Sequence, residues 1–103
     1  MTFVSMRRED RQRLHADIRV DTGEQADATL TMFDISSGGI GTDGLVPLTA
    51  GTMVRVAFPD GTVKRGRTMW REDFCSGILF DDPLSAAELA RLIESLQRQP
   101  LFR

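Results

Sequence analysis

The sequence predicts a small, mainly β domain: antiparallel strands curled into a barrel, with one C-terminal helix covering its side or mouth. Three observations carry that expectation. Apolar residues alternate with polar ones in successive short segments. A tight-turn signal, Asp60-Gly61, joins two of those segments. The period then becomes helical after Pro83. Sequential hairpins with one polar face suggest a small barrel.

The elements follow in order. "LHADIRVD" sets Leu14, Ala16, Ile18 and Val20 against His15, Asp17, Arg19 and Asp21, the pattern of a half-buried strand. "TGEQ" is a turn, and "ADATLTMF" puts Ala28, Leu30 and Met32 on one side. "DISSGGIGTDG" has loop composition, with a short extended piece around Ile40. "TMVRVAF" turns Val54, Val56 and Phe58 to one face, and "TVKRGRTMW" is the return strand beyond the turn. "GILF" is a last short strand after the polar loop "REDFCS". Ser85 and Glu88 then form a capping box, with Leu84 and Leu89 at the staple positions. Leu89, Leu92, Ile93 and Leu96 make one apolar stripe on a helix over about 85–98, and Pro100 stops it.

Composition narrows the function. At 103 residues, 41% apolar and 27% charged, the chain has the makeup of one ordinary globular domain. A formal charge of −2 argues against coating DNA, RNA or a membrane by bulk electrostatics, and no aromatic platform for bases is evident. Cys75 is the only cysteine, so a Cys-rich zinc site and an internal disulfide are excluded. "MTFVSMRRED" has too short an apolar run for a signal peptide, and no stretch is long enough to span a bilayer; the expected location is cytoplasmic. No metal cluster, phosphate-cradling loop or nucleophile–base set stands out. Neither an enzyme nor a bound cofactor is therefore expected.

Against that acidic balance, "MRREDRQRLHAD" gathers Arg7, Arg8, Arg11 and Arg13 just before the first strand. Any anion binding must be local, and this run is the place for it. Residues 1–13 are expected to form an arm and residues 14–103 the barrel domain. Arginine suits an anion, because its planar fork bonds oxygens in pairs.

Arg7 and Arg11 fit R-x-x-x-R ahead of the first strand, and Asp34, Ser36 and Gly39 fit D/N-x-S-x-x-G in "DISSGG". In that order and spacing, and on through "GILF" to the final helix, the chain resembles the PilZ domain family over nearly its whole length. The resemblance implies a six-stranded antiparallel barrel with a C-terminal helix. It also implies a receptor for the bacterial second messenger cyclic di-GMP, with Arg7, Arg8, Arg11, Asp34, Ser36 and Gly39 as ligand-binding residues. Two arginine registers stay open. Arg7 and Arg11 fit the motif literally; Arg8 and Arg13 fit it with one extra residue between them.

In such a site Asp34 accepts from the guanine N1–H and N2–H₂ edge, Ser36 offers a hydroxyl, and Gly39 allows close backbone approach or a positive φ. The arm, residues 6–13, is expected to gain order on binding. Plainer readings stand beside these. "RREDRQR" reads as a solvated arm, and "DISSGG" as a turn whose side chains cap the backbone. Arg65 and Arg67 would guard a strand edge or line the same pocket. His15 faces solvent, Cys75 has no His partner nearby in sequence, and Trp70 packs at the rim or stacks on a base. A receptor of this kind would pass its occupancy to a downstream protein, and any surplus in the leucine stripe would make a homodimer or partner surface. The rival reading is an interaction module of the same fold that no longer binds nucleotide.

Overall fold

The computed structural model describes residues 11–22, 28–44, 49–72 and 75–98, and the side chains of all these except Trp70, Arg71 and Glu72. Six strands and a helix follow one another: β1 (Gln12–Asp21), β2 (Ala28–Ile35), β3 (Gly39–Asp43), β4 (Met53–Ala57), β5 (Val63–Glu72), β6 (Cys75–Phe80) and α1 (Ala86–Arg98). All pairings are antiparallel, in the order β1-β2-β3-β6-β5-β4, and β1 pairs with β4 to close the barrel. The predicted barrel with a C-terminal helix is the observed fold.

The alternating residues form the core as expected. Ala16, Ile18, Val20, Ala28, Leu30, Met32, Val54, Val56 and Phe58 are all buried, joined by Ile35, Ile40, Ile78 and Phe80. Fully burying each larger side chain contributes about 1.5–3 kcal/mol. Phe58 and Phe80 meet edge to face at 6.5 Å and 76°, an arrangement the ring quadrupoles favour. Leu84, Leu92 and Leu96 are buried in the same cluster, with Leu89 and Ile93 packed against it, so the leucine stripe belongs to the core. The cap is reciprocal. Ser85 N–H donates to Glu88 Oε1 at 2.8 Å, and Glu88 N–H donates to Ser85 Oγ at 3.1 Å. At the hairpin, Gly61 has φ 97°, and Phe58 N–H donates to Thr62 O at 2.8 Å. Pro59, Asp60 and Gly61 thus form a three-residue loop ending in a left-handed glycine.

Some boundaries differ. β1 begins at Gln12, so Gln12 and Arg13, expected in the arm, are strand residues opposite Ile35 and Asp34. β3 occupies the Gly-Ser segment that reads mostly as loop, because Gly39 and Gly41 let it pack tightly between β2 and β6. β5 and β6 extend into "REDFCS", leaving residues 73–74 between them.

Two bulges matter most for function. Ala28, Leu30 and Met32 point inward, and strict alternation would send Asp34 inward as well. The β2–β3 register instead steps from Met32↔Thr42 to Asp34↔Gly41, which leaves Phe33 as an extra residue. That single insertion reverses the parity, burying Ile35 and turning Asp34 to the outside. Likewise β5 steps from Thr68↔Ile78 to Trp70↔Gly77, with Met69 as the extra residue.

Candidate functional site

The two bulges align one row across the outside of the barrel: Arg13 on β1, Asp34 on β2, Gly41 on β3, Gly77 on β6 and the backbone position of Trp70 on β5. Asp34 is the centre of charge. Arg11 Nη1 donates to Asp34 Oδ2 at 3.2 Å, joining the arginine motif to the loop motif across the β1–β2 pair. The side chain of Asp34 is 14% exposed and that of Arg11 34%. Asp34 Oδ1 is buried and accepts no hydrogen bond from any described residue. A buried carboxylate oxygen left without a donor costs about 1–3 kcal/mol or more, so this site is poised to accept one.

Gly41 makes room for that carboxylate. A Cβ at residue 41 would lie 2.8 Å from Asp34 Oδ1 and equally close to two atoms of the Phe33 ring. Sequence reasoning missed Gly41, although its place in "GIGTD" opposite the bulge marks a strand glycine where something else comes close. Arg13, directly across from Asp34, adds a second guanidinium on the same outer row.

The turn after Asp34 is tied to its own backbone. Ser36 is buried; its hydroxyl donates to Gly39 O at 3.4 Å and accepts from Gly38 N–H at 3.3 Å. Ser36 N–H also donates to Gly39 O at 2.9 Å. In this conformation Ser36 shapes the loop and does not offer its hydroxyl to solvent. Gly39 has a different reason from the one expected. Its φ is not positive, and a side chain there would collide with the Ile78 carbonyl oxygen on β6. The close approach is thus to the next strand. Above Gly38 the space is open. The loop is anchored at its crest, where Gly38 O accepts from Phe80 N–H at 2.8 Å and Ser37 O accepts from Leu84 N–H at 2.8 Å.

Of the remaining candidates, Arg7 and Arg8 lie outside the described residues, so the choice between arginine pairs rests on Arg11 and Arg13. Arg11 touches Asp34; Arg13 is opposite it in register. His15 is exposed on β1, as expected. Arg65 and Arg67 guard no edge, because β5 is paired on both sides in a closed barrel. Among the described residues, grooves also lie away from Asp34. One of about 450 Å³ runs beside Asp17, Arg19 and Phe58, and one of about 630 Å³ lies between α1 and the β4–β5 hairpin, lined by Lys64, Glu88 and Arg91 among others.

Among the described residues no group of three or more His, Cys, Asp or Glu could hold a metal ion. No helix among them is long and apolar enough to cross a membrane. Set against known proteins, the chain matches no family model and no curated protein.

Proposed function

We propose that the chain is a receptor for cyclic di-GMP, bound on the outer row around Asp34, and that it relays occupancy to a partner protein without catalysing a reaction. The observation that carries this reading is the Arg11–Asp34 pair with its unsatisfied Oδ1. A cation suited to phosphate and a carboxylate suited to the guanine N1–H and N2–H₂ edge stand within 3.2 Å of each other. Binding is then an exchange. Guanine donors take the carboxylate, Oδ1 gains a donor that no described residue supplies, and Arg11 swings to a phosphate oxygen or the O6/N7 edge. A partly exposed ion pair is worth only about 0–1 kcal/mol, so giving it up costs little. Arg7, Arg8 and Arg13 add cationic reach, and Ser36 and Gly39 hold the loop that positions Asp34.

The rival, an interaction module of this fold that binds no nucleotide, draws support from the same pair, since Arg11 and Asp34 already partly satisfy each other. Calorimetric titration with cyclic di-GMP, beside GMP and cyclic di-AMP, separates the two. A saturable heat for cyclic di-GMP alone supports the receptor. No heat at concentrations that would fill a micromolar site overturns it in favour of the module.

A further inference from the structure

The three large hydrophobic side chains most open to solvent among the described residues are Met53, Val63 and Met69, at 55%, 51% and 43% exposure. All belong to β4 or β5, and the outward residues between them are arginines. Across the β4–β5 pair, Met53 faces Arg67, Arg55 faces Arg65, and Ala57 faces Val63. Arg55 and Arg65 are therefore like charges directly opposite on one face, an arrangement that lowers stability. Neither makes an ion pair with a described residue. Edge protection does not explain them, because this barrel has no edge. Nor do they belong to the Asp34 row, which reaches β5 at Trp70, whereas Arg65 lies further back along that strand, opposite Arg55. Two arginines side by side among exposed methionines are what an unfilled binding surface looks like. Arginine and methionine are the residues such surfaces favour.

The charge pattern selects the occupant. Asp21 stands opposite Arg55 on β1, and Asp81 N–H donates to Arg65 O on the other side. The row thus reads Asp, Arg, Arg, Asp, with the positive stripe only two strands wide, about 5 Å between the arginine backbones. A phosphate backbone or an anionic membrane would extend past the stripe onto both aspartates. A single acidic element would not. We propose that the outer face of β4 and β5 docks a protein segment in which carboxylates alternate with apolar side chains. The carboxylates pair with Arg55 and Arg65, and the apolar groups cover Met53, Val63 and Met69. This surface is independent of nucleotide binding.

The test is an NMR titration of the ¹⁵N-labelled full chain with a synthetic amphipathic peptide of Glu, Leu and Ala. Comparators are the same peptide with Lys for Glu, a single-stranded oligonucleotide, and phosphatidylglycerol vesicles. The expected result is amide shifts over Met53–Ala57 and Val63–Met69 with the acidic peptide alone. The double variant Arg55→Glu/Arg65→Glu should weaken that binding at least about tenfold. Met53→Gln/Met69→Gln should weaken it too, which keeps the test decisive if the charge variant folds poorly. Shifts elsewhere, no shifts, or tighter binding by the oligonucleotide or vesicles would overturn the proposal. So would concentration-dependent shifts on this face without peptide, which would make the occupant a second copy of the chain.

Discussion

Arg11 and Asp34 are 23 residues apart in sequence, yet their side chains meet at 3.2 Å because Arg11 leads straight into β1 beside the bulged end of β2. If that pair opens onto ligand, each partner has a separable signature. Arg11→Ala should weaken cyclic di-GMP by about 1.5–3 kcal/mol, the scale of a charge-assisted hydrogen bond. Asp34→Ala should lose the preference over cyclic di-AMP, while thermal stability holds or rises because a buried unpaired oxygen is gone. Titrations with both nucleotides and a melting curve read all three. An unchanged preference in Asp34→Ala would strip Asp34 of its proposed role in reading guanine.

How much of this was legible in the sequence divides along physical lines. Strands β1 and β4 are readable because one buried face imposes a period of two, and the helix because its cap and stripe are local. Asp34 and Ser36 were found by motif, but their orientations were not. Asp34 faces outward only because Phe33 is an extra residue, and a bulge is decided by pairing with strands distant in sequence. Ser36 caps the Gly38 N–H as the plainer turn reading of "DISSGG" expects, and the motif reading, which offers its hydroxyl to a ligand, is the one this conformation does not follow. The arginines of β5 read as edge guards because the alternation of a single strand does not say which strands flank it; β5 pairs with β4 on one side and β6 on the other.

Gly41 and Gly39 should fail differently when given a methyl group. At residue 41 the obstacles are the Asp34 carboxylate and the Phe33 ring, both side chains that can move. Gly41→Ala should therefore keep the fold while displacing the carboxylate, with about tenfold or more loss of nucleotide affinity. At residue 39 the obstacle is the β6 backbone at Ile78, so Gly39→Ala must force β3 away from β6. Its cost should reach the upper end of the usual overpacking range, about 3 kcal/mol. Urea titrations beside calorimetry test the contrast. Equal stability losses in the two variants would contradict it.

Arg55→Glu reverses two contacts at once: the repulsion with Arg65 on β5 becomes an attraction, and the attraction to Asp21 on β1 becomes a repulsion. The two changes oppose each other, so stability should shift by less than about 0.5 kcal/mol and respond little to salt. The urea midpoint at low and high salt is the measurement. A gain that salt screens would mean that the Arg65 contact outweighs the Asp21 contact, and a loss that salt screens would mean the reverse.

The cap on α1 gives the chain an acid sensitivity whose sign follows from one side chain. Glu88 is held below its ordinary value of 4.5 chiefly by the backbone N–H of Ser85; desolvation opposes this, and the Ser85 hydroxyl and the nearby Lys64 and Arg91 add smaller lowering effects. Its folded-state pKa is the lower one. The charged cap therefore stabilises the fold fully above the unfolded-state value, and that contribution fades as pH falls through the folded-state value. Glutamine keeps the acceptor but cannot titrate, so Glu88→Gln should retain the helix and flatten this component of the acid response. Melting temperatures of both forms, followed from about pH 7 down to about pH 3, give the comparison. If the two curves fall with the same slope, the acid response belongs to other carboxylates and the cap contributes none of it.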